Sequence, residues 1–314
     1  MNSIPAGVIT PLVSLLGPGA RPDAQVVKQQ VEHQLAGGIA GLVVAGSTGE
    51  FGNLRLAERL DLLEHVVAAV DGRVPVWCTV GGMGTAEVID AAVLAQRSGA
   101  DALMVLQPLY MDVADAEILA HFRAVRERVD IPVVAYNIPL RTPRGLTVEA
   151  IGQLADEGVL AGIKDSSGDH TLGRQLVERT RDIEGFSAFA GGETTIDLVR
   201  TIGFDGCVPG TANILPEPAV HLFSGPRDEA LDRIAVDICN LLGDMFYHPL
   251  RDASFQSQVV ASLRVATSHV LGLELPASLP PLTRPDTQYI DSIIQIVTEA
   301  QSSWRDHVGI AEKV

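Results

Sequence analysis

Short apolar runs alternate along the chain with longer stretches in which apolar residues recur every three or four positions. The runs occupy 7–10, 41–45, 75–80, 102–106, 132–136, 160–164, 186–190 and 206–209, each bounded by Gly, Pro or Asp and rich in Val, Ile or Ala. They are too short for helices and lack strict polar alternation, which is how strands covered on both faces of a parallel sheet read. The stretches between them, 23–36, 55–70, 85–98, 113–129, 147–154, 170–179 and 194–202, have helix length. Asp23, Thr85 and Thr194 are expected to cap helix starts. Strands joined by helical crossovers fit a doubly wound sheet or a closed barrel. Eight at regular spacing favour the barrel, an α/β fold of the (β/α)₈ TIM type.

Beyond the eighth run the pattern turns wholly helical, over 217–223, 228–242, 253–271 and 286–303, with Pro-containing turns such as "LPASLPPLTRP" at 275–285. The expected organisation is a barrel over 1–224 and a C-terminal helical extension over 225–314 packed on it. A barrel of about 250 residues with additions fits the length.

Composition narrows the function. Acidic residues outnumber basic ones 39 to 23, a formal charge of −16, with no basic run, so nucleic acid is not an expected partner. An anionic substrate would need a local basic group. Cys78, Cys207 and Cys239 are odd in number and lack CxxC spacing, which points to reduced thiols and a cytoplasmic protein. The histidines show no ligand pairing, so neither metal nor cofactor is expected. The first ten residues are too short and polar for a signal segment, and no apolar stretch is long enough to span a bilayer. "GSTGEFGN" at 46–53 is glycine-rich but has no phosphate-loop spacing.

In a barrel, chemistry is built at the carboxyl ends of the strands. Those ends carry Thr10; Ser47, Thr48 and Glu50; Tyr110; Tyr136 and Asn137; Lys164 and Asp165; and Glu193. This is a ring of hydroxyls around one amine. Only Lys28, Lys164 and Lys313 are lysines, so a lysine kept in the apolar segment "LAGIKDSSGD" stands out. Partial burial disfavours its charged form and suits a nucleophile, the alternative being a structural ion pair with Asp165. Tyr136 in "VVAYNIP" is positioned to move protons, with Ser47 as a relay, or else to pack under a loop. Glu50 is expected to cap its loop and the following helix.

"GSTGE" (46–50), "PLY" (108–110), "YNIPLRT" (136–142) and "GIKDSSGD" (162–169), in that order, resemble the dihydrodipicolinate synthase/N-acetylneuraminate lyase family of class I aldolases over roughly residues 4–285. The resemblance implies a pyruvate imine on Lys164, with Tyr136 as acid/base and Ser47 as its relay. Ser47 and Thr48 would hold the pyruvate carboxylate. Tyr110 would reach into a neighbouring subunit's site in a homotetramer. Gly191 and Glu193 would contact the distal part of the second substrate, and Val208 would give a backbone or apolar contact near the lysine. Arg141 matches an arginine that grips a substrate carboxylate, or else is an exposed loop arginine like Arg144.

Departures exist. The synthases commonly have Thr where Ser47 stands, paired aromatics at 109–110, and an acidic pair where Gly192–Glu193 stand. The implied reaction is condensation of pyruvate with aspartate semialdehyde, as in 4-hydroxy-tetrahydrodipicolinate synthase. A 2-keto-3-deoxy-sugar-acid or 4-hydroxy-2-oxoglutarate aldolase, an N-acetylneuraminate lyase-type enzyme and a non-catalytic keto-acid-binding barrel are the alternatives.

Overall fold

A computed structural model of the chain describes residues 4–308. Eight parallel strands close on themselves: β1 (Gly7–Pro11), β2 (Gly41–Val44), β3 (Val76–Val80), β4 (Ala102–Leu106), β5 (Val133–Asn137), β6 (Gly162–Asp165), β7 (Ser187–Ala190) and β8 (Gly206–Cys207). Each pairs with the next, and β8 returns to β1 through Gly7↔Gly206 and Val8↔Cys207, so the barrel has no open edge. The crossovers are α1 (Ala24–Ala36), α2 (Leu56–Val70), α3 (Thr85–Arg97), α4 (Asp115–Arg126), α5 (Val148–Asp156), α6 (His170–Thr180) and α7 (Ile196–Ile202). After β8 come α8 (Pro216–Ser224), α9 (Glu229–Asp244), α10 (Phe255–Val270) and α11 (Thr287–Val308). The closed barrel with added C-terminal helices is the fold that the spacing of the apolar runs predicts. A small antiparallel pair, Leu16–Gly17 with Arg21–Pro22, turning through Gly19 at φ 73°, was not foreseen.

The apolar runs lack alternation because both faces of every strand are covered. Side-chain parity divides them into two cores. Ile9, Val43, Trp77, Met104, Val134 and Phe189 form the barrel interior, where Trp77 and Phe189 meet edge to face at 5.1 Å. Val8, Leu42, Val44, Leu103, Ala135, Ile163 and Ala188 belong to the layer between strands and helices.

Asp23 caps α1, its carboxylate accepting from Gln25 N at 2.8 Å and Val26 N at 3.1 Å. The other two expected caps are corrected. Thr85 is already the first residue of α3, and its hydroxyl bonds His121 Nδ1 at 3.0 Å instead. Thr194 lies before the start of α7, whose cap position is Thr195 without a side-chain bond. A neighbouring polar partner in one case, and a later helix start in the other, override the local capping preference.

The C-terminal helices pack through apolar stripes, Tyr289, Ile293, Val297, Ala300 and Trp304 being the buried face of α11. α10 is buried on nearly all sides between α11 and the barrel mouth. It carries Arg264, whose Nη1 lies 3.3 Å from Glu50 Oε1, with side-chain exposures of only 4% and 0%. Asn53 Nδ2 donates to the other carboxylate oxygen at 3.1 Å, and Arg264 Nη2 donates to Ala277 O at 2.5 Å. Glu50 was expected to cap α2. That role falls to Glu58, which accepts from Arg55 N at 2.8 Å, while Glu50 ties its loop to α10. Burial pushes the Glu50 carboxyl up and the Arg264 guanidinium down, each shift opposed by the partner's charge.

Removing one member of such a pair strands the other in a dry site. Arg264→Ala is therefore expected to destabilise the fold by about 3–5 kcal/mol in denaturant unfolding. A loss below about 1 kcal/mol would mean that Glu50 is not held by this arginine.

Candidate active site

β5 and β6 pair in the register Tyr136↔Lys164 and Asn137↔Asp165. Because side chains alternate along a strand, the first rung faces the barrel interior and the second faces away from it. On the inner rung Lys164 Nζ donates to Tyr136 Oη at 3.4 Å and sits 4.5 Å from the centroid of its ring. Ser47 Oγ is 3.3 Å from the same phenolic oxygen. Lys164 and Tyr136 are 5% and 2% exposed, so amine and phenol meet out of bulk water at the floor of the barrel mouth.

On the outer rung Asn137 Nδ2 donates to Asp165 Oδ1 at 2.7 Å, and the Ser167 hydroxyl donates to Oδ2 at 2.8 Å. Burial raises the Asp165 carboxyl, and these two donors pull it back. Asn137 Oδ1 accepts from Leu146 N at 2.9 Å. Asp165 is thus consumed by strand-end bonds, and the alternative of a Lys164–Asp165 ion pair is not what the chain adopts.

A cavity of about 220 Å³ opens above Lys164. Ser47, Thr48, Tyr136, Arg141, Lys164, Gly191, Glu193 and Val208 all line it, although they come from five different strand ends. Gly191 has a steric reason for being there: a Cβ would lie 2.1 Å from Ser166 Oγ and 3.2 Å from Lys164 Cε. Any side chain would push against the lysine. Glu193 is half-buried and its Oε1 accepts from Gly210 N at 2.9 Å. Burial raises its carboxyl, opposed by that N–H and by the charge of Lys164. Arg141 is exposed at the rim and donates to Gln256 Oε1 and, at 3.5 Å, to Leu140 O. The neighbouring Arg144 is engaged elsewhere, with Asp115 at 2.6 Å. Tyr110 does not line the cavity; it stands 82% exposed on the surface.

Several lining residues escaped the sequence reading. Ser166 and Ile138 could have been found by continuing the period of two from Lys164 and Tyr136. Phe246, Tyr247, Phe255, Gln256 and Val259 come from the C-terminal extension, and nothing in their local pattern marks them. Among the described residues no group of three His, Cys, Asp or Glu side chains is placed to hold a metal.

The arrangement is an amine, a phenol and a hydroxyl in one hydrogen-bonded line beneath an open cavity. It can form an imine with a keto acid and move protons without a metal ligand set. Comparison with known proteins points the same way. The model of the dihydrodipicolinate synthetase family matches residues 4–300. The 4-hydroxy-tetrahydrodipicolinate synthase of Methylobacterium radiotolerans is 30% identical over 295 residues, covering 92% of this chain and 94% of that protein. The one from Xylella fastidiosa is 35% identical over 235 residues, covering 75% and 76%. Among solved structures, dihydrodipicolinate synthase from Bacteroides thetaiotaomicron superposes with a TM-score of 0.86 at 24% identity, covering 95% of this chain and 100% of that one. YagE, a prophage protein of E. coli solved in complex with pyruvate, gives 0.85 at 24% identity, covering 94% and 98%. The barrel, its added helices and the sequence match over nearly the whole length lead to one conclusion: this chain belongs to the dihydrodipicolinate synthetase family.

Proposed function

We propose that the chain is a pyruvate-dependent class I aldolase resembling 4-hydroxy-tetrahydrodipicolinate synthase, joining pyruvate to aspartate semialdehyde through a Schiff base on Lys164. The observation that carries this reading is the Lys164–Tyr136–Ser47 line at the cavity floor, 3.4 and 3.3 Å between successive polar atoms. Support also comes from the name shared by the relatives and from a family neighbour solved with pyruvate bound.

In this reading Lys164 Nζ attacks C2 of pyruvate. The carbinolamine loses water, with Tyr136 supplying and recovering the proton and Ser47 passing it on. Ser47 and Thr48 hold the pyruvate carboxylate. Loss of a C3 proton gives the enamine, whose C3 attacks the aldehyde carbon; water then releases the product and frees the amine. Val208 and Gly191 shape the space beside the lysine, and Glu193 faces the distal part of the second substrate. Arg141 offers a charge-assisted partner for the semialdehyde carboxylate, which would otherwise enter an acidic protein without compensation. Tyr110 completes the relay in a neighbouring copy of a cytoplasmic homotetramer. Its exposure and the three buried free thiols are compatible with that assembly and compartment. Among the described residues no helix is long and apolar enough to cross a membrane.

Borohydride added with pyruvate should leave a pyruvate-sized adduct on Lys164, read by peptide mass spectrometry. An unmodified Lys164 in a fully active preparation would sink the proposal. The same preparation should scatter light as a tetramer, and a fully active monomer would remove the role given to Tyr110.

Tyr136→Phe keeps the ring packed and deletes one hydroxyl, so stability should hardly change while kcat falls by about 10²–10⁴. Near-normal turnover would place the proton shuttle elsewhere.

Arg141→Ala should raise KM for aspartate semialdehyde strongly and leave pyruvate trapping on Lys164 intact. If the wild type instead ignores the semialdehyde and cleaves 2-keto-3-deoxygluconate, with Glu193→Gln the damaging change, the sugar-acid aldolase reading replaces this one.

A further inference from the structure

The loop between β4 and α4 carries Tyr110 and Met111 outward, 82% and 51% exposed. A loop apex in water is mobile unless the ends of the loop are fixed. Here both ends are fixed to one residue, Arg144. At the start of the loop the fully buried Gln107 donates through Nε2 to the main-chain oxygen of Arg144. At its end the guanidinium donates from Nη1 to Val113 O at 3.2 Å and from Nη2 to Asp115 Oδ1 at 2.6 Å. The other Asp115 oxygen accepts from the Thr147 hydroxyl at 2.8 Å.

The residue that grips the loop is itself anchored. The Thr142 hydroxyl lies 2.9 Å from Arg144 O and 3.0 Å from Ile138 O, and Leu146 N donates to Asn137 Oδ1 at 2.9 Å. Asn137 ends β5, next to Tyr136. Arg144 therefore stands beside a fixed strand end and reaches sideways to a loop. A planar guanidinium, its donors set in a fork, suits a grip on two acceptors at once. With side-chain exposures of 32% and 41%, the Arg144–Asp115 pair adds little to the stability of the fold. Its consequence is geometric: it fixes where the apex of the loop stands.

We infer that Arg144 is a positioning residue for Tyr110, and that it serves the site of a neighbouring copy rather than its own. The inference rests on the reading above in which Tyr110 crosses into that site. Tyr110 does not line the cavity of its own chain, so an apex held by Arg144 acts on a second copy. Arg141 and Arg144, on one loop, thus serve different sites. The first stands at the rim of the chain's own cavity, and the second sets the hydroxyl that its neighbour uses. A misplacement of about 1 Å in such a group costs on the order of 10²-fold in rate.

The readout is exchange of the pyruvate methyl protons in D₂O, followed by NMR, which needs the imine and its enamine but no aldehyde. Arg144→Ala, checked by light scattering to assemble as the wild type does, should exchange about 10- to 100-fold more slowly, with KM for pyruvate little changed. Co-expression with Lys164→Ala under a second affinity tag, and purification through both tags, then separates the two copies. In the mixed oligomer the Arg144→Ala chain keeps its lysine and receives Tyr110 from an intact loop. The rate per subunit should return to about a quarter to a half of wild type. A mixed oligomer no faster than Arg144→Ala alone, or an Arg144→Ala protein as fast as wild type, overturns the inference.

Tyr110→Phe mixed with Lys164→Ala tests the reading beneath it. If that mixture is restored and the Arg144 mixture is not, the inference alone falls. If Tyr110→Phe is not slowed, or is slowed and not restored, the crossing of Tyr110 and the inference fall together. Absence of exchange in the wild type brings down the Schiff-base reading and the inference with it. Should Arg144→Ala not fold or assemble, Gln107→Met, which cuts the bond at the other end of the loop, takes its place under the same criteria. Failure of both to fold would make Arg144 a residue of the fold and overturn the inference.

Discussion

The pairing of β5 with β6 is the constraint on which the site depends. In the register Tyr136↔Lys164 the phenol and the amine share the barrel interior; a slip of one residue would turn one of them outward and bring Asn137 or Asp165 in. The pairing is locked by bonds that themselves do no chemistry. Asn137 and Asp165 join across the outer rung at 2.7 Å, and Ser166 N donates to Asn137 O at 2.8 Å; on the other side of β6, Gly191 N donates to Asp165 O at 2.6 Å and ties it to β7. Each lies within two residues of the rung it protects. The polar residues next to Lys164 and Tyr136 therefore hold the register, which leaves the inner pair to bond each other and, through Tyr136, Ser47.

The barrel alone does not finish the site. The loop carrying Ser47 and Thr48 is anchored from above by the C-terminal extension, through Arg264 on Glu50 and through Gln256 on the backbone of Ser47. Glu50 adopts a left-handed backbone, φ 59°, which its bonds to Arg264 and Asn53 keep in place. α10 thus anchors the loop over Lys164 and at the same time brings Phe255, Gln256 and Val259 to the cavity. Loop position and part of the cavity lining are thus coupled through one helix.

What could be read in advance follows from the range of the forces involved. The strands were legible because burial on both faces leaves a run of Val, Ile and Ala with no alternation. The site floor was legible because a barrel sends strand ends to one mouth, so that Ser47, Tyr136 and Lys164, far apart in sequence, had to converge. Thr85 failed as a cap because it lies inside α3 and its hydroxyl finds His121, outside any local window, and Thr194 failed because the cap position of α7 falls one residue later, on Thr195. Phe255, Gln256 and Arg264 were illegible for the same reason on a larger scale. Their roles come from how α10 seats on the mouth, and along the helix they read as ordinary members of an amphipathic repeat.

Electrostatics close the account. A chain of formal charge −16 has to admit an anionic keto acid and, in the proposed reaction, a second carboxylate. Two basic side chains stand along the cavity, Lys164 at the buried end and Arg141 at the exposed rim. Glu193 on the wall, Glu50 under the loop and Asp165 behind the lysine all have their carboxyls raised, desolvation being the largest cause in each. A raised carboxyl contributes stability that is fully present below the ordinary carboxylate range and is lost as pH climbs through the raised value. The fold thus accepts a stability cost at higher pH from burying these three acids. Among the described residues Arg141 itself bonds only to Gln256 and to the backbone of Leu140, so its charge is left available to a substrate rather than to a neighbouring carboxylate.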